Sequence, residues 1–372
     1  MNARYGTKLR SLRTRAWLIG GALPLAACLA GCSDSAPPVR HATFVDLGIL
    51  PGYTSSQAGA VSSDGTVVVG TATTAARNRQ AFRWNSLQGM VGLGFMAGGT
   101  FSTATAVSAN GAVIVGGGDA LNTNPLTGFR WTADEGAQPV EALPASHLCH
   151  VAGVSGDGAV VVGTCLQVNN TAFRWTASMG SVALGRFGTG SNQQSAALAI
   201  SMDGSVIVGA GHPALTGAVM WSADGSPTIL GKLPGDAAGA ATAVSRDGSV
   251  VVGSSTDNAG TSRAFRWTQQ TGMVDLGNSV SGLLGSFASS VSGSGNIIVG
   301  WGPTANGDVA LIWDTDHGLR PLDVALEADY QTQITGWKLT QATAISDDGR
   351  TIAGFGTNPQ GQTEAWIVKL PD

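Results

Sequence analysis

The sequence predicts an all-β fold: a seven-bladed β-propeller with four antiparallel strands per blade, its ring closed by a strand from the N-terminal end. Three observations carry this reading. An eleven-residue phrase recurs seven times, its closing glycines spaced 44 to 54 residues apart. A phrase ending in Trp follows each copy. A third phrase, which completes each unit, is missing after the seventh copy but stands ahead of the first. A period in this range suits a four-stranded blade. Composition agrees: 54 glycines and only 12% charged residues in 372 point to many short strands and turns rather than to disorder.

The first phrase reads AVSSDGTVVVG at 60–70, AVSANGAVIVG at 106–116, GVSGDGAVVVG at 153–163, AISMDGSVIVG at 199–209, AVSRDGSVVVG at 243–253, SVSGSGNIIVG at 290–300 and AISDDGRTIAG at 344–354. Each is a hairpin. A small-residue strand enters Ser-x-Asp-Gly, where positive φ is tolerated, and a β-branched strand leaves it. The leaving strand is apolar at consecutive positions, as expected where neighbouring blades cover both sheet faces. The second phrase is AFRW at 81–84, with counterparts ending at Trp131, Trp175, Trp221, Trp267 and Trp313, and a shifted copy at Trp366. All seven are read as one packing position between blades. The arginine within it recurs as Arg83, Arg130, Arg174 and Arg266 but gives way to Met220, Ile312 and Ile367. That pattern fits contacts between blades better than a ring of anion-binding groups.

The third phrase is clearest as GMVGLG at 89–94 and GMVDLG at 272–277, and weaker around Pro139–Leu143 and Leu319–Leu322. The N-terminal Phe44-Val45-Asp46-Leu47-Gly48 is its missing seventh copy, expected to complete blade seven and so remove an open sheet edge.

Ahead of the repeats, Arg4, Lys8, Arg10, Arg13 and Arg15 precede an uncharged apolar run from Ala16 to Gly31. At 16 residues the run is short for a membrane-spanning helix. It ends in Leu29-Ala30-Gly31-Cys32, which resembles the lipobox of bacterial lipoproteins. That resemblance implies cleavage before Cys32, lipidation of Cys32 and, with Ser33 rather than Asp next, an outer-membrane anchor. The rival is an ordinary leader cut near Ala27 or Ala36. The expected organisation is a signal peptide over 1–31, a linker over 32–42 and a propeller over 43–372. None of the 24 acidic residues precedes Cys32 but five of the 20 basic ones do, so the remainder carries 15 against 24, a net charge near −9. A nucleic-acid partner is not expected, because no basic footprint is present.

The AVSxDGxVVVG, AFRW and DLG phrases together resemble the bacterial extracellular HAF-repeat proteins over essentially residues 44–370. The resemblance implies a propeller-like repeat fold outside the cytoplasm and carries over no catalytic residue. The family's His-Ala-Phe is altered here, since Gln80, Thr171 and Arg263 hold the His position.

Cys149 and Cys165 flank the third hairpin at nearly opposite positions and are expected to form a disulfide in an oxidising compartment. A metal site from His147, Cys149, His150 and Cys165 is the alternative, with poor spacing, since His150 would point away from Cys149. Asp314-Thr315-Asp316-His317-Gly318 faintly resembles a calcium loop but lacks its later acidic ligand. The Asp residues before Gly serve turns, and no GxSxG elbow is present. No catalytic residue, metal or cofactor is therefore expected.

If strand one lines the channel, the connections between strands two and three form one face together with the links between blades. Variable loops on a rigid frame are where binding concentrates. The candidate ligand residues on that face are Arg77, Arg79, Asn122, Asn124, Asn169, Asn170, His212, Asp257, Trp301, Asn306 and Asn358. A longer insertion, Leu326 to Leu339, is either a lid or a linker. The function expected is a monomeric, non-catalytic envelope lipoprotein, held by its lipid, that binds or scaffolds a protein or glycan. The alternative is a propeller hydrolase or lyase acting on polysaccharide.

Overall fold

The computed structural model describes residues 40–120, 127–144, 146, 148–166, 169–187, 194–212, 217–277 and 280–371, except the side chain of His212. They form seven antiparallel sheets of four strands each. Blade one is Ser55–Val61, Val68–Thr73, Arg79–Asn85 and Gly89–Gly92. Blades two to six repeat that order. Blade seven takes Lys338–Ile345, Thr351–Thr357 and Thr363–Lys369 from the end of the chain, and Thr43–Asp46 from its beginning. Phe44 stands opposite Val368 and Asp46 opposite Trp366, so the N-terminal strand closes the ring. Strand one of every blade adjoins strand one of both neighbours, which puts these seven strands innermost, around the axis.

The hairpin phrase has a specific construction. Ser62 donates its hydroxyl to Asp64 Oδ1 at 2.6 Å and accepts from Val67 N at 3.0 Å. All seven equivalent serines, from Ser62 to Ser346, accept the same backbone N–H. Each is buried, and each has its polar atoms satisfied inside the turn. The turn glycine alone takes positive φ, between 70° and 76° in all seven copies. At Gly158 a Cβ would also lie 2.5 Å from a methyl of Val113 in the preceding blade.

The closing glycine of VVVG has a different cause. Strand one is bulged at the same place in every blade, between Ala58 and Ala60 in blade one and between Ala342 and Ala344 in blade seven. The skipped residue kinks strand one. A Cβ on Gly70 would then lie 2.0 Å from Gln57 O and 2.8 Å from the Phe82 ring, and one on Gly163 would lie 1.9 Å from His150 O. Both positions have room only for hydrogen.

Blades are joined by a second serine. Ser102 accepts Ala81 N from blade one at 3.0 Å and donates to Gly94 O at 2.7 Å. Ser195, Ser286 and Ser56 accept the equivalent N–H from the preceding blade. In blade three Cys149 holds this position. It pairs with Cys165 across the ladder, and the two sulfurs are bonded.

Two sequence expectations need correction. Only six tryptophans share one position: Trp84 lies opposite Val68, but Trp366 lies opposite Gly354, where blade one has Phe82. Trp366 and Trp221 are fully buried, while Trp131, Trp175, Trp267 and Trp313 are half-buried. The weak fourth strands are Gly136–Pro139 and Gly318–Pro321, each starting earlier than its apolar residues indicate, because the Gly of the turn opens the strand.

The insertion read as Leu326–Leu339 starts inside a helix, Leu322–Tyr330, which begins four residues earlier. Leu322, Ala325 and Leu326 are spaced to face one side and are buried with Ile312, Trp366 and Ala42. The segment after the helix clasps the closing strand, with Ala42 N donating to Thr332 Oγ1 at 3.0 Å. This part of the insertion is a clasp on the ring closure.

Candidate functional site

The two mouths of the channel differ. At the Asp-Gly mouth, the residues after the buried serines form a head-to-tail chain of backbone hydrogen bonds: Ser63 N to Ala109 O at 3.2 Å, Ala109 N to Gly156 O at 3.0 Å and Gly156 N to Met202 O at 2.8 Å. Gly293 N to Asp347 O at 3.0 Å and Asp347 N to Ser63 O at 3.1 Å continue it. Side chains also cross between non-adjacent blades. Ser63 Oγ donates to Met202 Sδ at 3.5 Å, and Arg246 pairs with Asp347 at 3.3 Å. Blade one therefore touches blade four, and the mouth is constricted.

On the loop face the candidate residues fall into several groups. Arg77 and Arg79 line a cavity of about 420 Å³ with Gln57, Thr71, Thr73 and Thr103. Gln57 and Thr103 lie on the innermost strands, so the cavity runs from the channel wall out to the turn after Thr73. Asn170 lines a second cavity of about 280 Å³ with Gln194 and Ser195, and blade five closes it at Ala238 and Gly239. The carbonyl of neighbouring Asn169 accepts the Thr171 hydroxyl.

The other candidates are held in local structure. Asp257 Oδ1 accepts Ala259 N and Thr261 N at 2.8 and 2.9 Å. Asn358 is buried, accepts Gln360 N and Gln362 N, and donates to Glu364 Oε2 at 2.6 Å. Both side chains are occupied in shaping their own turns. Asn306 receives Lys338 Nζ on its carbonyl at 2.6 Å. Trp301 stacks on Phe287, ring centres 4.4 Å apart. Asn122, Asn124 and the His212 side chain lie outside the described residues.

Sequence reasoning passed over Gln57 and Thr103, inner-strand residues that reach the channel, and weighed His150 only as a metal ligand. Their signal was available: they lie one residue before the buried Ala58, Ala104 and Val151 of strand one, a position that leaves the side chain open to the axis. Burial holds the His150 imidazole below its ordinary value, so it is neutral at pH 7. Two of the four recurrent arginines join blades, while Arg83 donates to Gln88 Oε1 of its own blade. Arg130 Nε donates to Gly158 O and Arg266 Nε to Gly295 O, each in the following blade and each at 3.3 Å. In the Asp314 loop, one carboxylate oxygen accepts the N–H groups of Asp316 and His317 and the other pairs with Arg320, which leaves a turn. Cys149 and Cys165 are engaged with each other and are not free to ligate a metal.

No protein-family model matches the chain, and no curated protein matches it by sequence. Solved structures do. An oligogalacturonate lyase from Vibrio parahaemolyticus aligns with TM-score 0.58 and 12% identity over 90% of this chain and 98% of its own. An oligogalacturonate lyase in complex with manganese aligns with TM-score 0.56 and 13% identity over 89% and 97%. The β-propeller domain of the trilobed protease from Pyrococcus furiosus aligns with TM-score 0.58 and 8% identity over 85% and 95%. At these identities the likeness is one of fold: the chain is a seven-bladed β-propeller similar in architecture to all three.

Proposed function

We propose that the chain is an exported lipoprotein of the HAF-repeat kind, a monomer whose propeller binds a glycan or protein partner at the cell envelope through its loop face. The observation that carries this reading is the asymmetry of the two mouths. One is constricted by backbone hydrogen bonds and crossing side chains. The other opens into a polar cavity between blades one and two. The leader, with its basic start, apolar run and Leu-Ala-Gly-Cys, supports export and attachment at Cys32. Among the described residues no helix is long and apolar enough to cross a membrane.

A polysaccharide-cleaving enzyme is the second reading, favoured by the two oligogalacturonate lyases of shared fold. Against it stands the use of the carboxylates. Asp64, Asp157, Asp203 and Asp247 are bound into hairpin turns, and Glu364 is held between Gly48 N and Asn358.

The test is a glycan array probed with residues 33–372, followed by an envelope pull-down with the full chain. Retention of a glycan or protein whose mass stays unchanged is the expected result. Release of shortened saccharide products would establish the enzyme reading instead. Cys32→Ser should move the protein from the membrane fraction to the soluble fraction.

A further inference from the structure

We propose that Arg77 and Arg79 form a recognition site for the carboxylate of an acidic sugar, a uronic acid unit within a glycan. The inference rests on the glycan-binding reading and specifies the ligand for one cavity.

The first argument is an irregularity in a repeated turn. In blade five, Asp257 N donates to Thr261 O and Gly260 N to Asp257 O. In blade seven, Asn358 N donates to Gln362 O and Gly361 N to Asn358 O. In blade one the same five-residue turn runs from Thr74 to Asn78, with Thr74 N to Asn78 O and Arg77 N to Thr74 O. The first side chain of each turn also accepts the N–H of the last residue. The fourth position is left-handed in all three, with φ of 88° at Gly260, 80° at Gly361 and 66° at Arg77. Glycine fits that conformation without penalty, and a side chain does not. Among the described residues, only Gln331 after the helix shares this property with Arg77. A strained arginine where the fold elsewhere uses glycine points to a use for its side chain.

The second argument is charge. Arg130, Arg246, Arg263 and Arg320 each have a carboxylate partner, and Arg83 and Arg266, which have none among the described residues, donate instead to Gln88 Oε1 and Gly295 O. Among the described residues none lies within ion-pair distance of Arg77 or Arg79. The rest of the exported chain is acidic, so this is a local cationic spot rather than part of a general anion-attracting surface.

The third argument is the cavity. Guanidinium groups match carboxylates in planar, bidentate fashion. The Thr71 and Thr73 hydroxyls and the Gln57 amide beside them both donate and accept, as a sugar's hydroxyl groups require, while Thr103 Oγ1, which donates to Gly117 O at 3.3 Å, can only accept. A bare anion would need the arginines alone, and an acidic peptide would use the hydroxyls less.

The test is isothermal titration of wild type, Arg77→Gly and Arg79→Gln with trisaccharides of glucuronic, galacturonic and mannuronic acid, with their carboxyl-reduced neutral forms, and with an Asp/Glu-rich peptide. At least one acidic trisaccharide should bind wild type about ten-fold or more tightly than its neutral form, and each substitution should remove that margin. Arg77→Gly should melt at or above the wild-type temperature, because it relieves the left-handed backbone. Equal affinity for acidic and neutral forms would overturn the inference and leave the glycan-binding reading standing. So would undiminished binding by Arg77→Gly, or a lowered melting temperature that marked Arg77 as structural. Failure to bind any trisaccharide would overturn the inference, with the glycan array and pull-down still deciding the wider reading, and binding of the peptide alone would replace the sugar with a protein partner.

Discussion

At the Asp-Gly face the seven turns are near copies of one another, each with a buried serine, a hydrogen-bonded acceptor and a glycine of positive φ. At the loop face the connections differ in length and sequence, and even where blades one, five and seven build the same five-residue turn their residues differ. The difference shows what the repetition is for. Where seven copies agree, one physical demand is being met seven times: the strands must turn in a small space close to the axis, and each turn must satisfy its own polar groups. Where they disagree, the fold makes no common demand, and the residues are free to answer to a partner. Arg77 is the sharpest case, since it departs from a turn that two other blades build with glycine.

The comparison can be broken in several ways, from the most damaging change to the least. Deleting residues 42–49 removes the fourth strand of blade seven and uncovers the edge of Thr363–Lys369 together with the cluster around Trp366. The melting transition should fall by well over ~10 °C or lose cooperativity. Deleting 33–39 should leave it within ~2 °C. Equal melting temperatures for the two deletions would refute the closure.

Gly163→Ala introduces a methyl 1.9 Å from His150 O, a rigid backbone atom. A loss of about 3 kcal/mol in urea denaturation is expected, against under about 0.5 kcal/mol for an exposed control, Gln88→Ala. Ser155→Ala leaves Val160 N without its acceptor in a buried turn, which should lose about 1–2 kcal/mol.

Acid should act on the turn face. The Ser155 hydroxyl and the Ala159 N–H hold Asp157 below its ordinary value near 3.8, and the Ser201 hydroxyl and Ser205 N–H do the same for Asp203. Carboxyl groups depressed in the folded state stabilise it above the unfolded value and lose that contribution as pH falls through the folded one. Denaturation midpoints should therefore be insensitive to these groups from pH 7 to 5 and should fall below about pH 4. Asp157→Asn should flatten part of that fall. Reduction of Cys149–Cys165, which closes only one hairpin, should have the smallest effect, below the ~3 kcal/mol expected for a free loop of that length.

Most of the architecture was legible because the repeat exposes it. Seven hairpin phrases fix seven blades, and the displaced Phe44-Val45-Asp46 phrase fixes the closure. What escaped depended on contacts between residues distant in sequence. The bulge of strand one, and with it the reason for Gly70 and its six counterparts, appears only when a strand-one carbonyl, Gln57 O in blade one and His150 O in blade three, is brought against each. Trp366 looked like a shifted tryptophan, but pairing with Gly354 makes it the equivalent of Phe82. The helix at Leu322 was readable from the spacing of Leu322, Ala325 and Leu326, a signal masked by its place inside a strand repeat. Of the candidate ligand residues, composition could not separate Asn358, buried in its turn, from Arg77, which faces a cavity. Both occupy variable loops, and only the turn geometry distinguishes them.

The division of labour between the two faces has a direct test. Ala259→Cys and Ala159→Cys place single exposed thiols on the loop face and the Asp-Gly face respectively, and each is coupled to a bulky polyethylene glycol maleimide. Recovery of the envelope ligand by pull-down should be abolished by the adduct at position 259 and unchanged by the adduct at position 159. Loss of recovery from position 159, with position 259 indifferent, would place the binding surface on the wrong end of the propeller and contradict the account.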